Sequence, residues 1–278
     1  MDNEFMFIGD RSLAGEALDA DRIRAALGAA AGRFQILVRE RCVSTNTELR
    51  ELAEAGASHA SVLVCEEQTG GRGRRGRPWH SVRGGSLTFS LLWRFPAATP
   101  APVGLSLAIG VAVARALDDL GVAGLKLKWP NDVLHCGRKL AGILVELASG
   151  THPGPVAVIG VGVNVALPRD FDPSGTIEAT DIAGAAARRP SRNRLLAELL
   201  RSLGRDLDRY SAEGFAPFRS DWVRRAAWMG ERVRLVSEFA APLEGRLVGI
   251  DPDGALLVLG EGGVHRLASG ELSLRRLL

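Results

Sequence analysis

The chain has 278 residues, 46% hydrophobic and 24% charged, with a formal net charge of +3. That length serves one large domain and a small one around a buried core, and the composition excludes a disordered chain. A pI near 9.0 on so small a net charge reflects an arginine excess, not the broad basic field that bulk nucleic-acid binding needs.

The three cysteines (Cys42, Cys65, Cys136) are odd in number and widely spaced. They make neither a disulfide framework nor a zinc motif, and read as reduced, packed thiols. The N-terminus carries acids where a signal peptide carries bases, and no apolar run approaches the ~18 residues of a membrane span. These features point to a soluble, cytoplasmic protein with no membrane partner.

In chain order, Asp19 or Asp21 caps a helix with Ile23 and Leu27 on one face, ended by Gly28 or Gly32. A strand over 34–38 follows. Thr45 and Glu48 have capping-box spacing, which predicts Thr45 as the N-cap of a helix running to about Ala55. A strand over 61–66 leads into a Gly/Arg loop, and a strand over 86–93 leaves it. The stretch 105–120 is a helix ended by Gly121. A strand over 125–129 runs into Pro130-Asn131-Asp132. A hairpin turning at Gly137 joins 133–136 to 140–148, and 156–165 is another buried strand. Residues 168–190 read as loop, and 194–210 as helix. Beyond Gly230 the composition shifts to short β-type runs (232–236, 243–250, 255–259, 264–267) split by Asp251-Pro252-Asp253-Gly254 and Gly260-Glu261-Gly262-Gly263, the pattern of a small barrel. The fold class is α+β, in three parts: a lead-in over 1–40 packed on the main domain, the main domain over 41–229, and a β-barrel over 230–278.

Gly71-Arg72-Gly73-Arg74-Arg75-Gly76-Arg77-Pro78-Trp79 sits between two predicted strands. Arginine forks bind phosphate and carboxylate oxygens bidentately, and glycine lets backbone N–H groups approach the same anion. Its glycines satisfy GxGxxG, but Pro78 starts no helix and no acid stands ~20 residues on, which argues against a dinucleotide fold. No Gly-Lys-Ser/Thr follows, so it is no P-loop. An RNA-binding segment of interleaved Arg and Gly and a merely solvated loop are the other readings. Lys128-Trp129-Pro130-Asn131-Asp132 is a second candidate site, with Asp132 placed to hold Mg²⁺ against a nucleotide phosphate. Taken singly, an Asn-Asp turn and a strand-end Lys139 are ordinary. Gly142 inside an apolar strand implies a close backbone approach.

Together these segments resemble the biotin–protein ligases. Ser44-Thr45-Asn46, the loop from Gln68 to Ser81, Lys128 to Asp132, Arg138 to Glu146 and Gly160-Val161-Gly162-Val163-Asn164 are similar to five family motifs, in the family's order. The resemblance covers about residue 35 to the end. It implies a class II synthetase-like catalytic domain with an SH3-like C-terminal barrel. It also implies a two-step reaction: biotin and ATP give biotinyl-5′-AMP and pyrophosphate, and a lysine of a biotin carboxyl carrier domain, as in acetyl-CoA carboxylase, then takes the biotin. By the same resemblance Ser44, Thr45, Asn46, Gln68, Arg72, Gly73, Arg74, Lys139 and Gly142 hold biotin. Arg74, Arg75, Arg77, Trp79, Asn131, Asp132 and Asn164 hold ATP or the adenylate, with Asp132 serving Mg²⁺. Lys139, Arg74 and Arg72 carry the catalysis. Only one helix is predicted before Ser44, so no sequence-specific DNA binding is expected. Val82-Arg83 stands where the family often has proline, no adenine-stacking aromatic can be named, and a homodimer is left open. A lipoate–protein ligase-like enzyme and a nucleic-acid-binding regulator are the rival functions.

Overall fold

In the computed structural model, which describes residues 16–99, 102–149, 152–171, 178–236, 241–268 and 273–277, two sheets account for the strands. Asp19 caps α1 (Ala20–Leu27) by accepting from Arg22 N, and Gly28 ends it at φ +58°. Ile23 and Leu27 are its buried face, as their spacing predicts. Residues 1–15 of the expected lead-in lie outside the described residues.

The main sheet comprises β1 (Gln35–Cys42), β2 (Ser61–Gln68), β3 (Ser86–Arg94), β4 (Leu125–Lys128), β5 (Asp132–His135), β6 (Arg138–Ala148) and β7 (Val156–Asn164). Its strand order is β1-β2-β3-β7-β6-β5-β4. β1 and β2 are parallel and the other pairs antiparallel, so the sheet is mixed. One face carries the large core, packed by α3 (Leu105–Asp119) and α5 (Arg192–Glu213). α3 buries eleven side chains or glycines, including Leu107, Ile109, Val111 and Leu117. Each large apolar side chain so buried contributes about 1.5–3 kcal/mol before entropy is counted. The opposite face is covered by α2 (Thr45–Glu54), through Leu49 and Ala53 against Leu63, Cys65, Leu92 and Val158.

A buried ion pair ties the lead-in to this frame. Arg192 grips Glu66 at 2.6 and 3.0 Å, both side chains being 4% exposed, and Leu18 N donates to the same carboxylate at 2.6 Å. Removing either partner would strand a buried charge, which makes the pair a strong constraint even where its net contribution is small.

The second sheet comprises β8 (Arg232–Val236), β9 (Leu243–Ile250), β10 (Leu256–Gly260), β11 (Gly263–Leu267) and β12 (Ser273–Arg276), in the order β11-β10-β9-β8-β12. Its turn before β10 packs on the motif strand of the main sheet, where Trp129 Nε1 donates to Gly254 O at 3.1 Å. The segment between α6 and β8 lies along the same strand: Ala227 N donates to Leu127 O at 2.8 Å, and Lys128 Nζ lies 5.8 Å from the Trp228 ring.

The fold is α+β as expected, with three differences of detail. α2 is capped by Ser44, not Thr45: Ser44 Oγ accepts from Thr47 N, and Glu48 pairs with Arg39 at 2.7 Å instead of turning back. Thr45 cannot cap because its hydroxyl is turned inward, onto β3 and Gln68. The stretch taken as loop contains α4 (Ile182–Ala185), capped by Asp181, and an isolated bridge pairs Ala179 with Lys139. α6 (Arg219–Arg225) and β12 carried too short an apolar pattern to be read.

Candidate functional site

One cavity gathers the motifs. It is lined by Ser44, Thr45 and Asn46 from α2, Gln68 from β2, and Arg72, Gly73, Arg74, Arg77 and Trp79 from the loop. Asn131, Asp132, Lys139, Gly142 and Asn164 line it from the sheet. Among the predicted residues, Arg75 does not line it: it is exposed, at φ +59° in the loop's tip. Lys128, His80, Phe171, Ser273 and Leu274 line it without having been picked as contacts.

The loop is a tight hairpin. Gly73 N donates to Arg77 O at 2.7 Å, Trp79 N to Gly71 O at 2.9 Å, and Arg72 bridges to Pro78. A Cβ on Gly71 would stand 2.6 Å from Trp79 O, so a side chain there would open the hairpin. Arg72 Nη2 donates to Thr47 Oγ1 at 2.8 Å, fastening the loop to α2.

Glycines form the floor and fix what lies on it. Gly142 faces Gly162 across β6 and β7. A Cβ on Gly162 would fall 2.4 Å from the Trp79 ring, and one on Gly160 would fall 2.4 Å from Asn46 Oδ1. At Gly142 it would meet Lys139 Nζ at 3.1 Å and Trp79 at 3.2 Å. The close approach expected at Gly142 is therefore made by site side chains, and it recurs at the neighbouring strand. Trp79 Nε1 is buried with no hydrogen-bond partner, a donor available inside the cleft.

The charge is lopsided. Among the described lining residues, Arg72, Arg74, Arg77, Lys128 and Lys139 face a single carboxylate, Asp132. Lys139 Nζ stands 2.7 Å from Asp132 Oδ1, and Lys128 Nζ 3.5 Å from Oδ2. Burial opposes ionisation of Asp132, but the two ammonium groups outweigh it and hold its carboxyl below the usual range. Burial pushes the Lys128 ammonium below its ordinary value, against the pull of Asp132. The Arg74 guanidinium is likewise pressed by burial and relieved by Asp132.

This arrangement does not fit Asp132 as the seat of a protein-held Mg²⁺. Both of its oxygens face ammonium groups, which a cation bound there would meet at close range. Asn131 and Asn164 brace strand ends: Asn131 Nδ2 donates to Ile143 O at 2.8 Å, and Asn164 Nδ2 to Lys139 O and Thr180 O at 3.2 and 3.0 Å. Asn46 is also internally bonded, to Glu146, Leu144 O and Ser90.

Comparison with known proteins gives this geometry a family. Residues 38–164 match the Biotin/lipoate A/B protein ligase family and residues 229–275 the Biotin protein ligase C terminal domain. A biotin–[acetyl-CoA-carboxylase] ligase of Mycobacterium tuberculosis is 34% identical over 270 residues, 95% of this chain and 98% of that protein. The chain belongs to the biotin protein ligase family. The bifunctional ligase/repressor BirA of Salmonella typhimurium is 37% identical over 94% of this chain and 79% of its own length. The biotin protein ligase of Aquifex aeolicus, solved in complex with biotin and ATP, is 31% identical over 87% of this chain and 99% of its own, with a TM-score of 0.77. Within the ligase, the cavity motifs come from the catalytic unit, while Ser273 and Leu274 reach it from the C-terminal unit. No helix among the described residues is long and apolar enough to cross a membrane.

Proposed function

We propose that the ligase activates biotin with ATP to biotinyl-5′-AMP and pyrophosphate, then passes the biotin to a lysine of a biotin carboxyl carrier domain. The observation that carries this is the cation cluster around one carboxylate, next to a small polar pocket at the N-terminus of α2. The first step joins a carboxylate to a polyphosphate, so two anions must meet, and fixed cations offset the charge that builds on the transferring phosphoryl group.

In this reading Thr45, Ser44 and Gln68 face the head group of biotin. Arg72 and Arg74 hold its carboxylate and the adenylate, and Gly73 admits them to the loop backbone. Lys139 exchanges its Asp132 partner for the carboxylate and α-phosphate oxygens. Trp79 covers the ligand over Gly142 and Gly162, and excluding water protects the mixed anhydride from hydrolysis. Arg77, Asn131 and Asn164 lie on the nucleotide side, and His80 and Phe171, in edge contact at 6.4 Å, offer aromatic surface to a base. Asp132 organises the lysines; any Mg²⁺ that accompanies ATP is held by the nucleotide's own oxygens.

ATP–pyrophosphate exchange is the direct test. Biotin should support exchange and lipoate should not. Exchange with lipoate alone would favour the lipoate ligase reading, and salt-sensitive nucleic-acid binding without exchange would favour a regulator.

A further inference from the structure

Asn46 belongs to the polar pocket, yet every part of its amide is engaged by the protein. Nδ2 donates to Glu146 Oε2 at 2.7 Å and to Leu144 O at 3.4 Å, while Oδ1 lies 2.6 Å from Ser90 Oγ. Both partners of Nδ2 can only accept, so the amide orientation follows from chemistry: reversed, it would set an oxygen against the Glu146 carboxylate. Gly160 leaves room for this amide, since a Cβ there would touch Oδ1 at 2.4 Å.

The orientation has a consequence further along. Ser90 Oγ is within reach of both Asn46 Oδ1 at 2.6 Å and Thr45 Oγ1 at 2.8 Å, but owns one proton. Asn46 Oδ1 can only accept, so it takes that proton. Thr45 must then send its own proton inward, to Ser90 Oγ or to Gln68 Oε1 at 3.1 Å. Its lone pairs then receive no proton from the chain, which leaves Thr45 Oγ1 an acceptor at the cavity wall. Gln68 Oε1 also receives Thr45 N at 2.7 Å, which leaves Gln68 Nε2 as the donor. Ser90 is fully buried and Thr45 and Asn46 are 4% exposed, so water does not rearrange the chain.

We propose that Glu146 is a positioning residue that sets the donor–acceptor polarity of the biotin head-group pocket, acting through Asn46, Ser90 and Thr45. The proposal rests on the biotin reading. A cyclic urea carries two N–H donors beside one carbonyl, and a pocket with a forced acceptor at Thr45 recognises an N–H and rejects its replacement. Glu146 lies at the far end of β6, about a hundred positions from Asn46 in sequence, and touches no ligand position itself.

Affinity for biotin, for desthiobiotin, which keeps both ureido N–H groups, and for the two cyclic carbamates in which one N–H becomes oxygen tests this on the full chain. The wild type should prefer biotin to at least one carbamate by about tenfold or more. Glu146→Ala should weaken biotin about tenfold and reduce that preference below about threefold, with the biotin-to-desthiobiotin ratio and the KM for ATP little changed. Glu146→Gln, which still offers Asn46 an acceptor oxygen, should recover the preference. Unaltered biotin affinity in Glu146→Ala, or weakened affinity with the carbamate preference intact, would overturn the proposal. Should that variant not fold, Ser90→Ala, which breaks the same chain one link later, is held to the same two outcomes. A wild type that binds no biotin would instead sink the functional reading on which the proposal stands.

Discussion

At the scale of single residues, the site is an exercise in keeping cations close before their anion arrives. Asp132 does this for Lys139 and Lys128, and each prediction here follows from that contact. Replacing Lys139 by alanine should cut the rate of adenylate formation by about 10²–10³, the cost of one preorganised charge-stabilising group; exchange at the wild-type rate would mean that Lys139 has another role. Asp132→Asn should destabilise the fold near neutral pH, because Lys128, 7% exposed, loses its carboxylate. A broken buried pair costs about 3–5 kcal/mol, and the 30% exposure of Lys139 places this one at the lower end. The sign with pH follows from the depressed carboxyl of Asp132. Its stabilisation is fully present above the unfolded value near ~3.9 and is lost as pH falls through the lower folded value. Melting temperatures of both proteins should therefore stay apart from pH 7 to about 4 and converge below. A constant gap at the lowest pH where both still fold would contradict the pairing.

At the scale of elements, α2 divides two tasks between neighbouring residues. Both line the pocket, but Ser44 spends its hydroxyl on the helix cap while Thr45 turns its own to Ser90 and Gln68. Ser44→Ala should lower stability by about 0.5–1 kcal/mol, the small end of cap losses, because the Ser44 Oγ–Thr47 N contact is 3.5 Å long. Thr45→Ala should weaken biotin binding, and its own cost in stability comes from stranding Ser90 and Gln68 rather than from the helix end. Finding the two effects exchanged would restore the capping-box assignment that the sequence suggests. That assignment failed for an identifiable reason. Thr45-Asn46-Thr47-Glu48 has the spacing of a cap, but capping is decided by which side chain is free, and Thr45 is committed to Ser90 and Gln68 across the sheet. Likewise Ser90 reads as an ordinary polar position on an alternating strand until α2 is laid over it.

At the scale of the whole molecule, the C-terminal sheet is joined to the catalytic sheet where the Lys-Trp-Pro-Asn-Asp motif emerges. Trp129 is 1% exposed and its indole N–H is given to Gly254 O in the turn between β9 and β10. Trp129→Phe keeps most of the packing and leaves that buried carbonyl without its donor, an expected loss of about 1–3 kcal/mol. Chemical denaturation should show a lower midpoint, and amide exchange should quicken first in β10 and the 251–255 turn that precedes it. Unchanged exchange there would mean that the two sheets do not depend on this bond. Since Ser273 and Leu274 line the same cavity, loosening the joint should also be felt as a higher KM for ATP.

Most of the elements (though not α4, α6 or β12), the concentration of arginine between β2 and β3, and most of the motif residues that meet in the cavity were legible in the sequence. Those properties are local: helix and strand periods, caps, turns, and the need for glycine where backbone or side chains press close. What only the tertiary structure decided was who presses on whom. The strand order places β6 beside β7, with α2 lying across that face, and so sets Asn46 against Gly160 and within reach of Glu146, Trp79 against Gly162, and Lys139 on Asp132. Asn46, Glu146 and Gly160 lie too far apart along the chain for any local pattern to link them. Strand pairing and the burial of one sheet face under α2 bring them together, and with them the direction of each hydrogen bond in the pocket.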